Sequence, residues 1–341
     1  MSHASQAPVT TPDTEPAPPA PRSFDEVKGW FSAYDQVLFD WFLARQNDTG
    51  EAKGDLLELG AFMGKSAIFL AKYLREGEEF TVVDLFDSPA PDGDNLEEVR
   101  ESYPTLTRRG FEANYLAFHE ELPTVIQAPT SVVPDRVRHG SCRFVHIDAS
   151  HLHEHVVADI ASSKAVAAPG AVVVFDDYRS EHCPGVAAAV WEAVAVGGLR
   201  VIAVSASKLY ATWDDPEPHQ KALLGWLDGR AGLWHGVDTV CGHPLVRIGD
   251  HGVAAPSAPE PLHAPAAPAA PAAPPAPKPA PRPAPGAAWR AVAKDLLPPV
   301  LTRAIVTARR RRGGGPRGCG GGCRCPPARG VGSARGGRAG R

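Results

Sequence analysis

The sequence has 341 residues but no run of about 18 consecutive apolar residues, the length that a helix needs to cross a membrane. It also does not open with the basic stretch and apolar core that mark a secretory signal. These absences exclude the usual patterns for membrane insertion and export. They predict a soluble protein located in the cytoplasm.

Cysteine is scarce, with six residues in the chain. Cys142, Cys183 and Cys241 are widely spaced, which is typical of reduced thiols rather than of a disulfide framework. The other three form a C-x-x-x-C-x-C cluster within 319–325. Because that cluster lacks a fourth metal ligand, it does not by itself predict a structural zinc site.

Proline, by contrast, is abundant at 35 residues and is concentrated outside one central block. Residues 1–22 and 251–288 are rich in Pro and Ala, so they cannot bury enough surface to offset the entropy cost of ordering. They predict a disordered N-terminal tail and a disordered linker. Residues 23–250 remain as one globular domain, and the linker is followed by a basic amphipathic segment at 289–312 and a Gly/Arg/Cys-rich disordered tail at 313–341.

The overall net charge of −4 hides an asymmetry. From Ala287 onward there are thirteen Lys and Arg residues and one acidic residue, so the rest of the chain carries −16. Such an acidic domain is not a nucleic-acid-binding core. The basic end is predicted either to stay solvated or to make weak contact with an anionic membrane or a partner, and catalysis is not expected to need it.

Two common phosphate-binding loops are also missing. The stretch DLLELGAFMGKSAIFL, residues 55–70, ends like a Walker loop, but that loop needs glycine at position 59, where the chain has Leu59. The dinucleotide pattern fails because Phe62 occupies its second glycine position. What remains is Glu58 at the end of a strand, followed by Gly60 and Gly64 at the start of a helix.

Apolar strands alternate with helices through the central block, which predicts an α/β doubly wound, mostly parallel sheet. The segments at 199–213 and 238–249 predict an antiparallel closing hairpin. Aromatic residues at three-to-four spacing over 24–45 predict one amphipathic helix, whose aromatic face either packs in the core or covers a bulky substrate. In such folds the ligand lies beyond the carboxyl ends of the strands.

Asp84 lies at the end of the second predicted strand, 24 residues beyond Gly60. A carboxylate at that point can accept hydrogen bonds from both ribose hydroxyls of an adenosine. Since no pyrophosphate loop accompanies it, S-adenosylmethionine fits better than NAD or ATP. The candidate cofactor residues are Glu58, Gly60, Gly64 and Asp84. The alternative is a capped turn with a structural role only.

Three further aspartates, Asp148, Asp176 and Asp177, follow the fourth and fifth predicted strands. If these strands are neighbours, the carboxylates repel one another unless a cation lies between them, and oxygen ligands favour Mg²⁺ or Mn²⁺. The alternative is that one aspartate caps a helix and another is solvated. His151, three residues past Asp148, is a candidate general base, whereas His146 is expected to be packed and His153 and His155 to face solvent.

Five segments together resemble class I S-adenosylmethionine-dependent methyltransferases: LLELGAFMGKSAIFLA, VVDLF, FVHIDASHLHEHVVADI, PGAVVVFDDY and CPGVAAAVWEAV. They are most similar to the metal-dependent group that resembles macrocin and mycinamicin O-methyltransferases, which act on sugar hydroxyls of natural products. The resemblance covers about residues 50–210 and implies a Rossmann-like fold and a small hydroxylated acceptor. It implies that the cofactor contacts Glu58, Gly60 and Asp84, that Asp148, Asp176 and Asp177 bind Mg²⁺, and that His151 is the base.

Two other functions remain open at this point. His146, Asp148 and the later His182 are the residue types of an iron-dependent oxygenase site, although that chemistry usually occurs on an all-β jelly roll. The chain could also be a non-catalytic module that binds the cofactor or a partner. Iron dependence would favour the first, and partner binding that survives loss of the aspartates would favour the second.

Overall fold

The computed structural model describes residues 19–50 and 52–263, which belong to the first of two compact units, Met1–Ala269. The N-terminal tail up to residue 18, most of the predicted linker, the basic segment at 289–312 and the cysteine cluster lie outside the described residues. Among the helices that are described, none is long and apolar enough to cross a membrane.

Within the described residues, nine strands form one sheet in the order β3-β2-β1-β4-β5-β7-β6-β9-β8. The first five strands pair in parallel, β7 runs antiparallel to β5 and β6, and β8 and β9 form an antiparallel hairpin. The strands are β1 Asp55–Leu59, β2 Phe80–Asp84, β3 Thr124–Gln127, β4 Cys142–Ile147, β5 Ala167–Phe175, β6 Arg200–Val204, β7 Leu209–Thr212, β8 Leu233–Val240 and β9 His243–Asp250. The predicted doubly wound, Rossmann-like sheet with a closing hairpin is confirmed.

Eight α-helices cover the two faces of this sheet in the described part of the chain. They are α1 Ala33–Thr49, α2 Lys65–Ala71, α3 Gly93–Ser102, α4 Arg108–Leu116, α5 Val133–Arg136, α6 His153–Val166, α7 Pro184–Glu192 and α8 Glu217–Leu227. The sequence pattern did not predict α8. Its buried residues Leu223 and Leu227 pack on the α1 side of the sheet.

The single helix predicted over 24–45 is wrong. The structure has a short 3₁₀ turn at Phe24–Glu26, and α1 begins only after Ser32. Ser32 and Asp35 form a capping box in which each side chain bonds the other residue's backbone N–H, which fixes this start. The aromatic face is nevertheless buried, as Phe39 and Phe42 of α1 are almost fully covered in the core.

The strand β1 separates two apolar cores because its side chains alternate between the faces of the sheet. Leu57 and Leu59 belong to the core that α6 and α7 cover, whereas Leu56 belongs to the core beneath α1 and α2. Glu58 is fully buried on the same face as Leu56. A buried carboxylate in such a position needs a partner, and this requirement shapes the candidate site.

The chain does not leave the domain at the predicted boundary of residue 250. The backbone N–H of Leu262 donates to the carbonyl of Ala117 at 2.8 Å, and the ammonium of Lys72 donates to the carbonyl of Ser257 at 3.0 Å. Val253 and Ala258 pack against the α1 side of the core. The first part of the Pro/Ala-rich stretch is therefore attached to the domain.

Candidate active site

The loop after β1 depends on two glycines for reasons of packing. Gly60 has φ +78°, and a Cβ there would collide with the backbone carbonyl of Asp148 at the end of β4. Gly64 has φ +89° and precedes α2, where a Cβ would lie 3.0 Å from the ring of Phe111. Both positions favour glycine because other side chains rarely adopt these angles.

Asp84 holds this loop from the end of β2. One of its carboxylate oxygens accepts the backbone N–H groups of Ala61 and Phe62 at 2.7 and 3.0 Å, and the other accepts that of Phe86 at 2.7 Å. Burial raises the pKa of Asp84, although the three hydrogen bonds oppose that shift. The predicted ribose ligand is therefore also the anchor of the loop.

A cavity of about 270 Å³ opens beside this loop. Gly60 and Asp84 line it, whereas the predicted cofactor residues Glu58 and Gly64 do not. The lining also includes residues that the sequence motifs do not indicate, among them Trp30, Asn95, Glu98, Tyr103, Ser131 and His155. Asn95, Glu98 and Val99 lie on one face of α3 at three-to-four spacing, which is the signal that could have identified them.

Glu58 instead pairs with His146 of β4, the residue beside it in the parallel register. A carboxylate oxygen of Glu58 lies 2.8 Å from Nδ1 of His146, and both side chains are buried. The other oxygen of Glu58 and Nε2 of His146 have no hydrogen-bond partner within the described structure. The prediction that His146 is packed is confirmed, and Glu58 is buried without lining the cavity.

Asp148 and Asp176 lie together where β4 and β5 end, as the strand-end argument predicts. Their carboxylates and a ring nitrogen of His146 lie within 4.8 Å of one another. Lys208, a buried residue just before β7, forms a salt bridge with Asp176. A cavity of about 10 Å³, enough for one water-sized occupant, is lined by Asp148, Asp176 and His151.

The pKa values of the Asp148 and Asp176 carboxyls are shifted in opposite directions. Burial, followed by the neighbouring Asp176, raises the pKa of Asp148 well above its usual value. Burial is also the largest influence on Asp176 and acts in the same sense, but the Lys208 ammonium, His146 and the hydrogen bonds to the carboxylate together outweigh it and lower the pKa of that carboxyl. Asp148 therefore tends to hold a proton, whereas Asp176 stays ionised against Lys208.

The third predicted metal ligand, Asp177, lies in a second cluster. It has φ +53°, and its ligand oxygen groups with His151 and Cys183 within 4.8 Å. Asp177 lies 3.6 Å from Nε2 of His151 and accepts a hydrogen bond from Ser180 at 2.5 Å. The three aspartates are thus divided between two adjacent clusters.

Glu98 of α3 positions the predicted base. It accepts the backbone N–H of His151 at 2.7 Å and the hydroxyl of Ser150 at 2.8 Å, and its carboxylate lies 3.3 Å from Nδ1 of His151. His155, expected to face solvent, instead contacts Ser150 and Asp92 at 3.0 Å and lines the large cavity. His153 is 41% exposed, as expected.

Residues 57–178 match the family model described as a methyltransferase domain. Together with the doubly wound sheet, this match shows an enzyme of the class I S-adenosylmethionine-dependent methyltransferase type. Iron-dependent oxygenase chemistry usually occurs on an all-β jelly roll, and the described part of the chain instead alternates strands with helices. A comparison with curated proteins found no match.

Solved structures similar to this chain include CalS11, a TDP-rhamnose 3′-O-methyltransferase of calicheamicin biosynthesis, at 16% identity, 54% coverage of this chain, 82% of that chain and a TM-score of 0.37. The O-methyltransferase NovP has 16% identity, coverage of 52% and 78%, and a TM-score of 0.43. TomG from Streptomyces achromogenes, solved with S-adenosylmethionine, has 16% identity, coverage of 65% and 77%, and a TM-score of 0.30.

Proposed function

We propose that the chain transfers a methyl group from S-adenosylmethionine to a hydroxyl oxygen of a small molecule, a sugar hydroxyl of a glycosylated natural product, with the help of Mg²⁺ or Mn²⁺. The observation that carries this proposal is the position of Asp148, which lines both the 270 Å³ cavity and the adjoining 10 Å³ cavity. Cofactor and cation would therefore meet at one residue, as metal-assisted transfer to oxygen requires.

The large cavity fits the cofactor in its chemistry. Asp84, at the strand end, retains acceptor capacity on the oxygen that bonds only Phe86, which suits a ribose hydroxyl. Gly60 brings the loop backbone to the cavity wall. When bound, S-adenosylmethionine supplies an electrophilic methyl group.

The carboxylate pair fits a divalent cation. Asp148 and Asp176 offer oxygen ligands beside a space of single-ion size, and the proton that Asp148 tends to hold is one that a cation would displace. Asp177 would complete the predicted ligand set from the neighbouring cluster. When bound, Mg²⁺ would supply positive charge that lowers the pKa of an acceptor hydroxyl.

Three further side chains, those of Glu98, His151 and Lys208, have separate roles in the proposed reaction. Glu98 fixes the loop that carries His151, and the neutral imidazole takes the proton of the acceptor hydroxyl. Lys208 keeps Asp176 ionised. Most of the rate gain would come from holding the acceptor oxygen in line with the methyl group.

Three aromatic rings at the mouth of the cavity support a bulky acceptor. The ring centroid of Trp30 lies 5.3 Å from that of Phe62 and 6.3 Å from that of Tyr103, and all three residues line the cavity. Trp30 is 71% exposed, which is unusual for a large apolar side chain unless it meets a ligand.

A labelled-methyl transfer screen over glycosylated and other hydroxylated metabolites, run with Mg²⁺ and with a chelator, tests the proposal. We expect transfer to an oxygen of at least one acceptor, loss of transfer with chelator, and recovery with Mg²⁺ or Mn²⁺. Full activity after exhaustive chelation would contradict the metal requirement. Transfer only to nitrogen, sulfur or carbon would contradict the acceptor class.

Replacing Asp84 tests the cofactor site. Asp84→Asn should weaken binding of S-adenosylhomocysteine in calorimetry by about 5- to 150-fold, which corresponds to about 1–3 kcal/mol for lost charge-assisted hydrogen bonds. Asp87→Asn is the control, because Asp87 is an exposed aspartate just after β2 that does not line the cavity. If Asp84 contacts the ribose, a deoxyribose analogue should lose affinity for the parent chain but lose little more for Asp84→Asn. Equal losses in both chains would assign Asp84 to loop support alone.

A further inference from the structure

The cluster around Asp177 combines a histidine, an aspartate and a cysteine, whereas magnesium sites are built from oxygen ligands. Ligand atoms of His151, Asp177 and Cys183 all lie within 4.8 Å of one another. The exposed His182 adds a second imidazole, with Nε2 4.0 Å from the Asp177 carboxylate and its ring 6.0 Å from that of His151. Imidazole, carboxylate and thiol therefore converge at one point beside the proposed base.

The thiol is the most informative member of this cluster. Cys183 is 1% exposed and is a free cysteine whose Sγ makes no hydrogen bond within the described part of the chain. It precedes α7, at a point where Gly185 lies against the backbone of His151 and His153. The local backbone therefore holds the sulfur toward the imidazole of His151.

This combination of donors favours a borderline-soft cation. Mg²⁺ prefers oxygen ligands only, whereas Zn²⁺ binds thiolate, imidazole and carboxylate in tetrahedral sites. Three such side chains and His182 provide the number of ligands that Zn²⁺ takes. Binding would release the thiol proton to solvent, since the thiolate is the form that binds the metal.

We infer that His151, Asp177 and Cys183, with His182 at the rim, form an inhibitory site for Zn²⁺. The inference rests on the proposed function in one respect, namely that His151 is the base. A zinc ion on His151 occupies the nitrogen lone pair that would accept the acceptor's proton. It also withdraws Asp177 from the proposed magnesium ligands, so Zn²⁺ inhibits through both groups.

Cobalt spectroscopy tests the site without any activity measurement. The full chain is used with Cys319, Cys323 and Cys325 replaced by serine, because those thiols would otherwise bind the probe. Co²⁺ should produce a sulfur-to-cobalt charge-transfer band, and Zn²⁺ should displace it. Cys183→Ser should abolish the band, whereas Cys142→Ser and Cys241→Ser, one a buried and one an exposed control, should keep it.

His182→Ala provides a second variant that does not disturb the core, because the His182 side chain is 64% exposed. It should weaken Co²⁺ binding by roughly tenfold, within the range seen when a metal site loses a supporting group. No charge-transfer band in the parent chain, or a band that survives Cys183→Ser, would overturn the site.

Inhibition is measured separately in the presence of saturating Mg²⁺. Zn²⁺ should inhibit methyl transfer by the parent chain, and Cys183→Ser should need at least about tenfold more Zn²⁺ while retaining basal activity, since Cys183 has no part in the proposed reaction. Equal zinc sensitivity in both chains would overturn the inhibitory role. If the parent chain shows no methyl transfer, the proposed function fails, and the cobalt experiment still decides whether the site exists.

Discussion

Asp148→Asn is expected to abolish methyl transfer, by about 10³-fold or more, while S-adenosylhomocysteine affinity stays within about twofold of the parent value. Asparagine resembles the protonated carboxyl that Asp148 tends to hold in the folded chain, so the replacement should preserve packing. It removes the negative charge that a divalent cation needs. Loss of metal assistance is worth several kcal/mol in the transition state, and each 1.36 kcal/mol is a factor of ten in rate.

The same variant has a distinct dependence of stability on pH. Because the pKa of Asp148 is raised by folding, the folded chain binds this proton more tightly than the unfolded chain. This tighter proton binding adds to the free energy of unfolding below the ordinary aspartate pKa of about 4. The contribution is lost as the pH rises through the higher pKa of Asp148 in the folded chain. In chelator, the free energy of unfolding should therefore fall less between pH 4 and pH 8 for Asp148→Asn than for the parent.

Asp55→Asn is the matched control, since Asp55 begins β1 and so lies at the opposite, amino end of the sheet. It should leave turnover within about twofold. Methyl transfer by Asp148→Asn at the parent rate would contradict the metal site. A large loss of S-adenosylhomocysteine affinity would show instead that Asp148, which lines the large cavity, binds the cofactor directly.

His151→Ala is expected to lower kcat by roughly 10²- to 10⁴-fold with folding intact, because the reaction loses its proton acceptor. The side chain is partly exposed and belongs to neither of the two apolar cores, so thermal unfolding should change little. Added imidazole should restore part of the rate, since a small base can enter the space that the side chain leaves. KM for the cofactor should stay nearly constant.

His153→Ala is the control for this experiment, because His153 lies two residues further along and its ring nitrogens lie near the exposed carboxylates of Glu154 and Glu192. It should have nearly parent activity. If His153→Ala is the more damaging change, the base has been assigned to the wrong side of the turn. If His151→Ala is inactive but imidazole has no effect, His151 acts by positioning the substrate or a cation.

Sequence reasoning located the carboxylates because parallel strands end at one edge of the sheet. The pairing of Ile147 with Phe175 brings Asp148 and Asp176 together, as the apolar runs of β4 and β5 imply. The same logic does not indicate that Asp177 groups with His151 and Cys183, because that position depends on the left-handed backbone of a single residue. No pattern of apolar residues carries that information.

Lys208 was missed for a different reason. It lies 32 residues after Asp176 and reaches that carboxylate only because β7 pairs directly with β5. Glu58 was assigned to the cofactor from its place in the motif, but the parallel register puts His146 beside it. Both contacts depend on which strands are neighbours, and periodicity within one strand does not specify its neighbour.

The hydrogen bonds between Asp84 and the loop after β1 have a consequence for the rate at which the cofactor binds. Because one carboxylate already fixes the N–H groups of Ala61, Phe62 and Phe86, the wall of the large cavity has its shape before any ligand arrives. Because the cavity wall is already ordered, binding of the cofactor costs little conformational entropy there. No slow rearrangement of the loop needs to come before the cofactor binds. Cofactor binding should therefore appear as a single concentration-dependent phase in stopped-flow traces. Any difference in affinity between S-adenosylmethionine and S-adenosylhomocysteine should lie in their dissociation rates.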